Sequence, residues 1–137
     1  MATVDVLVAT AEREVYRGEA DFLAAPGAAG ELGIMPKHTP LLSALAAGEL
    51  RIHRDEEIDE VFISGGFIEV QPDMITVLAD TAERAHDVDE AAAIEAQRKA
   101  QEIVDTQQGD VDYARAASEL SIATAKLAFM RKRKNQK

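Results

Sequence analysis

The chain has 137 residues, of which 47% are hydrophobic and 29% charged, and its formal net charge is −10. This length suits one domain, or a small domain with an appendage, and the apolar fraction excludes wholesale disorder. No stretch approaches the roughly 20 uncharged apolar residues of a membrane-spanning helix. The absence of cysteine excludes a disulfide scaffold, a thiolate metal site and a cysteine nucleophile. Because the first residues lack a signal-peptide pattern, we expect a soluble cytosolic protein.

In the first part of the chain, apolar residues alternate with polar ones, as in β-strands. The alternation is clear in residues 4–8 and 50–54, and short β-rich runs follow at 58–63, 67–70 and 74–79. Residues typical of turns separate these runs, at Pro26-Gly27 with Gly30 and Gly33, at Arg54–Glu57, at Gly65-Gly66 and at Pro72-Asp73. Many short strands at this spacing predict an antiparallel β-sandwich or barrel in residues 1–85.

After Ala85 the apolar residues follow a helical period. Asp87 or Asp89 can cap a first helix that runs to about Thr106, and residues 107–110 interrupt the pattern. A second helix is predicted from about Asp112 to Arg133, with Asp110 or Asp112 as its cap. The short connection predicts an antiparallel helical hairpin in residues 86–137. The predicted fold class is therefore α+β, a β-sandwich followed by a helical hairpin.

Alanine dominates the predicted contact between the two helices. Burying alanine removes little apolar surface from water, and stabilisation scales at roughly 25 cal/mol per Å². Two interpretations therefore stay open: a marginal hairpin that can undock or extend into a rod, and an ordinary small hairpin that stays closed. The residues of this predicted seam are Ala93, Ala96, Ala100 and Ile103 in the first helix, and Tyr113, Ala116, Leu120, Ala123, Leu127 and Met130 in the second.

The charge is distributed unevenly along the chain. Residues 1–85 contain 16 acidic and 6 basic side chains, whereas residues 86–137 contain 9 of each. Such asymmetry indicates an interaction tail more than an idle solvated face. The last 18 residues carry 6 bases and no acid, namely Lys126, Arg131, Lys132, Arg133, Lys134 and Lys137.

No catalytic constellation is apparent in the sequence. The glycines at 27, 30 and 33 are not followed by a phosphate-loop helix, and His38, His53 and His86 accompany no serine or cysteine motif. The aspartates at 105, 110 and 112 lack the spacing of a calcium loop, and basic residues without interleaved aromatics argue against nucleic-acid binding. We therefore expect no metal site, no catalytic residue and no nucleic-acid partner.

The segment Gly30–Leu42 stands out because it combines two prolines with several large apolar residues between two strand regions. Exposed apolar groups on a rigid loop are typical of a docking surface. Its sequence GELGIMPKHTPLL, with ISGGFIEVQPDMITVLADTAERA at residues 63–85, closely resembles the epsilon subunit of bacterial F-type ATP synthases, the counterpart of the mitochondrial delta subunit. The resemblance covers the whole chain, including the two-helix tail.

This resemblance implies a ten-stranded β-sandwich and a helical hairpin in a non-catalytic subunit of the central rotor stalk. Such a subunit contacts gamma and the c-subunit ring, and it couples proton translocation to ATP synthesis. It reaches the membrane only through the complex, on the cytoplasmic face of the bacterial plasma membrane. By position, the c-ring contacts would be Glu31, Leu32, Gly33, His38, Thr39 and Pro40, with Glu31 and His38 as polar contacts.

A second face of the sandwich would pack on gamma, with Ser64–Phe67 as a weaker candidate region. The resemblance further implies that the helices can extend beside gamma and inhibit ATP hydrolysis. Basic residues of the arm would then meet an acidic helical segment of a catalytic beta subunit, with alpha as a further candidate partner. These basic residues are Lys126, Arg131, Lys132, Arg133 and Lys134. Ser121–Ala123 occupy a stretch that is often basic in the family, so inhibition is expected to be weaker or to depend on the last turns.

Some family members also bind regulatory ATP through a motif that ends in arginine and alanine. This chain has Ala92 in place of the arginine, although Asp89 and Ala93 match. An arginine there would supply a fixed fork of donors. We therefore expect weak or absent ATP binding and no cofactor, with Glu83, Asp89, Arg98 and Lys99 as the remaining candidate contacts.

Two other functions stay open at this point. A free-standing adaptor would use the sandwich and hairpin to bind unrelated acidic proteins, and it would not co-purify with gamma and beta. An enzyme acting through acidic residues of the sandwich would require paired carboxylates in a pocket.

Overall fold

The computed structural model describes residues 2–106 and 110–135. The chain divides into two compact units, Met1–His86 and Asp87–Lys137. The first unit is all β apart from a terminal 3₁₀ turn, and the second is helical. The strands are β1 (Val4–Ala9), β2 (Glu14–Ala20), β3 (Phe22–Gly27), β4 (Gly30–Ile34), β5 (Leu41–Leu45), β6 (Gly48–Arg54), β7 (Glu57–Ile63), β8 (Gly66–Val70), β9 (Met74–Ala79) and β10 (Ala82–Arg84).

The strands are connected in the order β10-β7-β6-β3-β5-β8-β9-β1-β2, and β4 pairs with β3 outside this path. Among the pairs in the described residues, only β1 and β9 run parallel, with Asp5 opposite Met74. One core cluster contains residues from all ten strands. Because alternate side chains of a strand point to one face, a single core shared by every strand requires the sheet to fold over on itself. The predicted sandwich is therefore confirmed, although one of its strand pairs is parallel.

The turn predicted at Pro26-Gly27 is wrong, because both residues belong to β3. The β3–β4 hairpin turns instead at residues 28–29, and Gly30 follows with φ +138°. The pairing partner of β3 changes around Pro26. The strand pairs with β6 up to Ala24 and with β5 at Gly27. The missing N–H of Pro26 is tolerated at this break between two ladders. The turn predicted at residues 72–73 is confirmed, since it lies between β8 and β9. The turns predicted at 54–57 and 65–66 each include a connection between consecutive strands, but Arg54, Glu57 and Gly66 belong to the strands themselves.

The helical unit begins at Asp87, the last residue of the 3₁₀ turn Ala85–Asp87, and contains α1 (Glu90–Thr106) and α2 (Asp110–Asn135). Asp89 caps α1, because its Oδ1 accepts a hydrogen bond from the Ala92 N–H at 3.1 Å. Asp112 lies inside α2 and is therefore not its cap. Of the predicted interruption at residues 107–110, residues 107–109 lie outside the described residues, and Asp110 is the first residue of α2.

Two contacts show that the helices are antiparallel. Gln97 of α1 donates to the Thr124 hydroxyl of α2 at 3.2 Å, and Glu90, earlier in α1, pairs with Lys134, later in α2. Ala96 and Tyr113 are exposed, so their predicted places in the seam are wrong. The seam of α1 passes through Gln97 instead, four residues after Ala93, because a three-residue step falls short of one helical turn. The buried residues of the two helices are Ala93, Ala100, Ala116, Ala123, Leu127 and Phe129. Neither described helix is long and apolar enough to cross a membrane.

Candidate docking surfaces

The segment Gly30–Leu42 contributes to the core as well as to the surface. Ile34 is buried, and Leu32 and Leu41 pack against the core cluster. The expectation that its large apolar groups are free for docking is therefore wrong for these three, because strand alternation turns them inward. Met35 and Leu42 are 64% and 72% exposed. The free apolar surface of the segment thus lies at its two exposed side chains.

The loop between β4 and β5 is held by the backbone. Lys37 has φ +64°, and its N–H donates to the Pro72 carbonyl at 2.9 Å, which ties this loop to the β8–β9 turn. The His38 Nδ1 lies 2.6 Å from the Thr39 carbonyl oxygen. Since a carbonyl only accepts, Nδ1 carries the proton, and Nε2 is left as an acceptor in the neutral ring. Thr39 and Pro40 are exposed beside it.

Glu31 and Gly33 lie on β4. Glu31 is exposed and forms an ion pair with Arg51, with 3.0 Å between Oε1 and Nη2. A Cβ at position 33 would lie 3.2 Å from the Phe22 ring. Glycine at 33 therefore allows the Phe22 ring to lie against β4. Of the six residues predicted at the c-ring, the structure thus places Leu32 against the core, half-buries His38 and leaves the other four exposed.

An exposed apolar row crosses four neighbouring strands on the outer face of the sandwich. Ala44 of β5 lies opposite Phe67 of β8, Phe67 lies opposite Leu78 of β9, and Leu78 lies opposite Ala9 of β1. Leu42 lies two residues from Ala44 and therefore on the same face. Phe67 and Leu78 are 57% and 58% exposed. We call these five residues the apolar strip; sequence alternation did not reveal it, since it depends on strand order.

A hydrogen-bonded corner sets the position of Phe67 in the apolar strip. The Ser64 hydroxyl accepts from the Thr81 N–H at 3.0 Å and from the Thr81 hydroxyl at 2.8 Å. Gly65 and Gly66 have φ of +132° and +141°, which favours glycine at both positions. A Cβ at position 66 would lie 2.1 Å from the Leu78 carbonyl oxygen. The Gly65-Gly66 pair therefore lets β8 begin close against β9.

Acidic residues of the sandwich form ion pairs with arginines on other strands. Glu19 pairs with Arg54 at 3.3 Å, and Asp59 pairs with Arg84 at 3.5 Å. The Arg84 guanidinium also lies 5.6 Å from the centre of the Tyr16 ring. Burial, followed by the nearby Asp59 carboxylate, raises the pKa of the Tyr16 phenol. In the described part of the chain, no three His, Asp or Glu side chains are grouped as a metal site would require.

The four candidate ATP contacts are distributed over both units. Glu83 lies in β10 of the sandwich, and Asp89 is engaged as the cap of α1. Arg98 pairs with Glu95 at 2.7 Å and with Glu102 at 3.3 Å, and the hydrogen bond that Arg98 donates to Glu95 raises the pKa of Arg98. Lys99 follows on the exposed surface of α1. Asp89 and Arg98 are separated by roughly 13 Å along the helix axis, so α1 alone does not bring them together.

The basic residues near the C-terminus occupy different environments. Arg131 and Lys132 are exposed, and Lys126 is half-buried. The Arg133 guanidinium lies 6.0 Å from the centre of the Phe129 ring. Lys134 pairs with Glu90 at the start of α1, with 2.6 Å between Nζ and Oε2. The seam pattern missed the buried Phe129, which lies two residues past Leu127 and so outside the three-four spacing.

Comparison with known proteins identifies the family. Residues 3–85 match the family described as ATP synthase, Delta/Epsilon chain, beta-sandwich domain, and residues 86–129 match its long alpha-helix domain. The ATP synthase epsilon chain of Nitrosococcus oceani is 50% identical over 134 residues, which cover 96% of each chain. That of Nitrosomonas eutropha is 48% identical over 126 residues, covering 91% of this chain and 90% of the relative.

Two solved structures share the fold. A chain of the Euglena gracilis mitochondrial ATP synthase, in a structure of OSCP/F1/c-ring, aligns with a TM-score of 0.85 at 17% identity, covering 95% of this chain and 82% of that chain. A chain of the Tetrahymena thermophila enzyme, in a structure of the central stalk and c-ring, aligns with a TM-score of 0.60 at 18% identity, covering 93% and 96%. Because the family matches span both units and the relatives align over nearly their whole length, the chain belongs to the delta/epsilon family of ATP synthase subunits, as an epsilon chain.

Proposed function

We propose that this epsilon chain is a non-catalytic subunit of the central stalk that couples proton translocation to ATP synthesis by docking its sandwich between rotor partners. The observation that carries this proposal is the apolar strip, which gathers on one face Leu42, Phe67 and Leu78, three of the five large apolar residues exposed on the described sandwich. The two structures that share the fold, one of OSCP/F1/c-ring and one of the central stalk and c-ring, support the same assignment. The subunit would act on the cytoplasmic face of the bacterial plasma membrane, attached through the complex.

The apolar strip is the proposed surface for gamma. Neighbouring apolar side chains that stay exposed on a rigid sheet are typical of a protein interface. The backbone of the strip is fixed by strand pairing, so docking would order only side chains and would cost little conformational entropy. The Ser64–Phe67 corner supports this surface, because it sets the start of β8 and with it the position of Phe67.

Contact with the c-ring is proposed for a different surface, the exposed residues of the Gly30–Pro40 region. Glu31 presents a carboxylate, and His38 presents the Nε2 acceptor left by the bond from Nδ1 to Thr39. A partner loop with hydrogen-bond donors would complement both groups. Gly33, Thr39 and Pro40 would add close backbone contact with the c-ring. Leu32 would hold β4 in place by packing against the core.

Replacing Phe67 by serine tests the gamma surface. Because Phe67 is 57% exposed, the variant is expected to fold and to bind gamma at least tenfold more weakly, as expected for loss of an aromatic interface residue. Ile58→Ser is the matched control, since Ile58 is 51% exposed but lies on β7, outside the strip. Affinity for purified gamma is measured by titration calorimetry. Equal affinities of the two variants and the unaltered chain would contradict the proposed surface.

We further propose that the helical unit inhibits ATP hydrolysis when it opens and extends beside gamma. The alanine-rich seam supports this, because little apolar area opposes opening. The basic residues Arg131–Lys134, with Lys126, would then contact an acidic helical segment of the catalytic beta subunit, with alpha as a second neighbour. Removing residues from 87 onward should raise ATP hydrolysis by the reconstituted complex. Unchanged hydrolysis would leave the coupling role alone.

Weak or absent ATP binding is also proposed for this chain. The support is Ala92, whose exposed side chain lacks donors, and the engagement of Asp89 and Arg98 within α1. Calorimetry with ATP and magnesium should show no micromolar affinity for the unaltered chain. Ala92→Arg provides the matched gain-of-function variant, and micromolar binding before the substitution would contradict the proposal.

A free-standing adaptor that binds acidic proteins is the second candidate function. The observation that favours it is the run of basic residues in the last 18 residues. This function predicts capture of acidic proteins other than ATP synthase subunits. Affinity purification from cells that express the full complex separates the two functions, since a rotor subunit should be recovered with gamma and beta in fixed stoichiometry.

A further inference from the structure

We infer that Arg51 is a positioning residue that holds the Glu31 carboxylate in place at the docking end of the sandwich. This inference rests on the proposed contact of Glu31 with the c-ring and deepens it. It concerns a residue on a different strand, 20 positions further along the chain.

The sheet register brings Arg51 within reach of Glu31. Arg51 on β6 lies opposite Ala24 of β3, and Glu31 on β4 lies opposite Pro26 of the same strand. Ala24 and Pro26 have short side chains, so the Arg51 side chain can cross β3 without obstruction. Its Nη2 lies 3.0 Å from Glu31 Oε1, and its Nη1 lies 3.3 Å from Glu49 Oε1. The planar guanidinium therefore joins two carboxylates with two separate donors.

The three side chains become more exposed toward β4. The exposed fractions are 11% for Glu49, 27% for Arg51 and 63% for Glu31. Glu49 and Arg51 thus form the anchored part of the arrangement, and the Glu31 carboxylate is its accessible end. One Glu31 oxygen is occupied by Arg51, which leaves the other oxygen for a partner.

Holding the Glu31 side chain in place reduces the conformational entropy that is lost on docking. Ordering a glutamate side chain costs rotamer freedom, and β4 pairs with β3 alone in the described sheet. A carboxylate fixed before the partner arrives binds more tightly than a mobile one, because the ordering cost has already been met on folding. Loss of Arg51 would also leave Glu31 and Glu49 as neighbouring like charges.

A double-mutant cycle on c-ring binding tests this role in the full chain. The variants are Glu31→Gln, Arg51→Gln and the double variant, and affinity for purified c-ring in detergent is measured by surface plasmon resonance. We expect Arg51→Gln to weaken binding about five- to tenfold, and to change it less than twofold once Glu31 is glutamine. Lysine has one compact charge instead of a planar fork of donors, so the affinity of Arg51→Lys should lie between those of the unaltered chain and Arg51→Gln. Arg17→Gln is the control, because Arg17 forms a similar exposed ion pair with Glu14 on β2.

The outcomes separate the inference from the docking proposal. Equal weakening by Arg51→Gln in both backgrounds overturns the positioning role and leaves Glu31 as a docking residue. Unchanged binding by Glu31→Gln overturns the docking contact, and the positioning role with it. Thermal unfolding of each variant identifies losses caused by misfolding. In the free subunit, the Arg51 Nε–Hε NMR signal should shift on Glu31→Gln, and a signal that does not respond also overturns the inference.

Discussion

Leu127 offers the sharpest test of how the helical unit is held closed. It is 2% exposed, and among the buried side chains of the two described helices only Phe129, at 3%, is larger. Phe129 lies outside the three-four spacing, and the other buried residues within that spacing are alanines, which contribute much less apolar area. Leu127 also lies within one turn of Thr124, whose bond to Gln97 joins the helices. Truncation to alanine should therefore remove a large share of the free energy that keeps α1 and α2 together.

The expected size follows from burial. Leucine-to-alanine changes at fully buried sites cost about 2–5 kcal/mol, and the lower values occur where the site can collapse. We expect about 3 kcal/mol here, which raises the opening equilibrium of the hairpin roughly 150-fold. Most of the stability of a helix in a protein comes from tertiary packing rather than from propensity, so opening also leaves the backbone amides of α1 and α2 less protected from solvent. Amide hydrogen exchange in α1 and α2 should accelerate by a similar factor, while exchange in the sandwich core stays unchanged.

Hydrogen exchange followed by mass spectrometry measures this effect by peptide. Leu120→Ala is the matched control, since Leu120 is on the same helix but only half-buried, and its truncation should accelerate exchange less than tenfold. An equal response to both substitutions would refute the assignment of Leu127 as the main apolar contact. Unchanged exchange in α1 would show that the two helices do not open as one unit.

Three further outcomes are expected. Gly66→Ala should destabilise the sandwich by more than ~2 kcal/mol in urea unfolding, because φ is +141° and the new Cβ would meet the Leu78 carbonyl oxygen; a loss below ~0.5 kcal/mol would contradict this. The free energy of unfolding should fall as pH rises above about 10, since the folded state holds the Tyr16 proton more tightly than the unfolded state, and Tyr16→Phe should flatten the fall. Glu90→Gln should accelerate α1 exchange at most about fivefold and only at low salt, since the Lys134 partner is exposed.

The sequence predicts the fold class and five strands, and it misses the others for identifiable reasons. In β2, Gly18 and the charged Glu14, Arg17 and Glu19 interrupt the apolar alternation, because the outer face of this edge strand is polar. In β4, Gly30 and Gly33 are typical of turns when met in isolation. The reasons for glycine become visible only in the folded sheet, where Gly30 has a positive φ and Gly33 lies against the Phe22 ring.

The candidate site is predictable only where one segment carries it. Glu31 and His38 belong to a contiguous motif, and the structure leaves both polar groups accessible. Arg51 has no local signal, because its relation to Glu31 depends on the register of β4, β3 and β6. The apolar strip is hidden for the same reason: Leu42, Phe67 and Leu78 become neighbours through strand order.

The parallel pairing of β1 with β9 has a consequence for how the chain is made. The N-terminal strand can form a hairpin with β2 at once, but its other edge stays open until Met74–Ala79 has been synthesised. Contacts between such distant parts of a chain form slowly, and an open strand edge can pair with other chains in the meantime. The two helices, by contrast, are adjacent in the chain and can pack as soon as both have been synthesised. Of the ten described strands, β1 is thus synthesised first and is among the last to complete its pairing in the sheet.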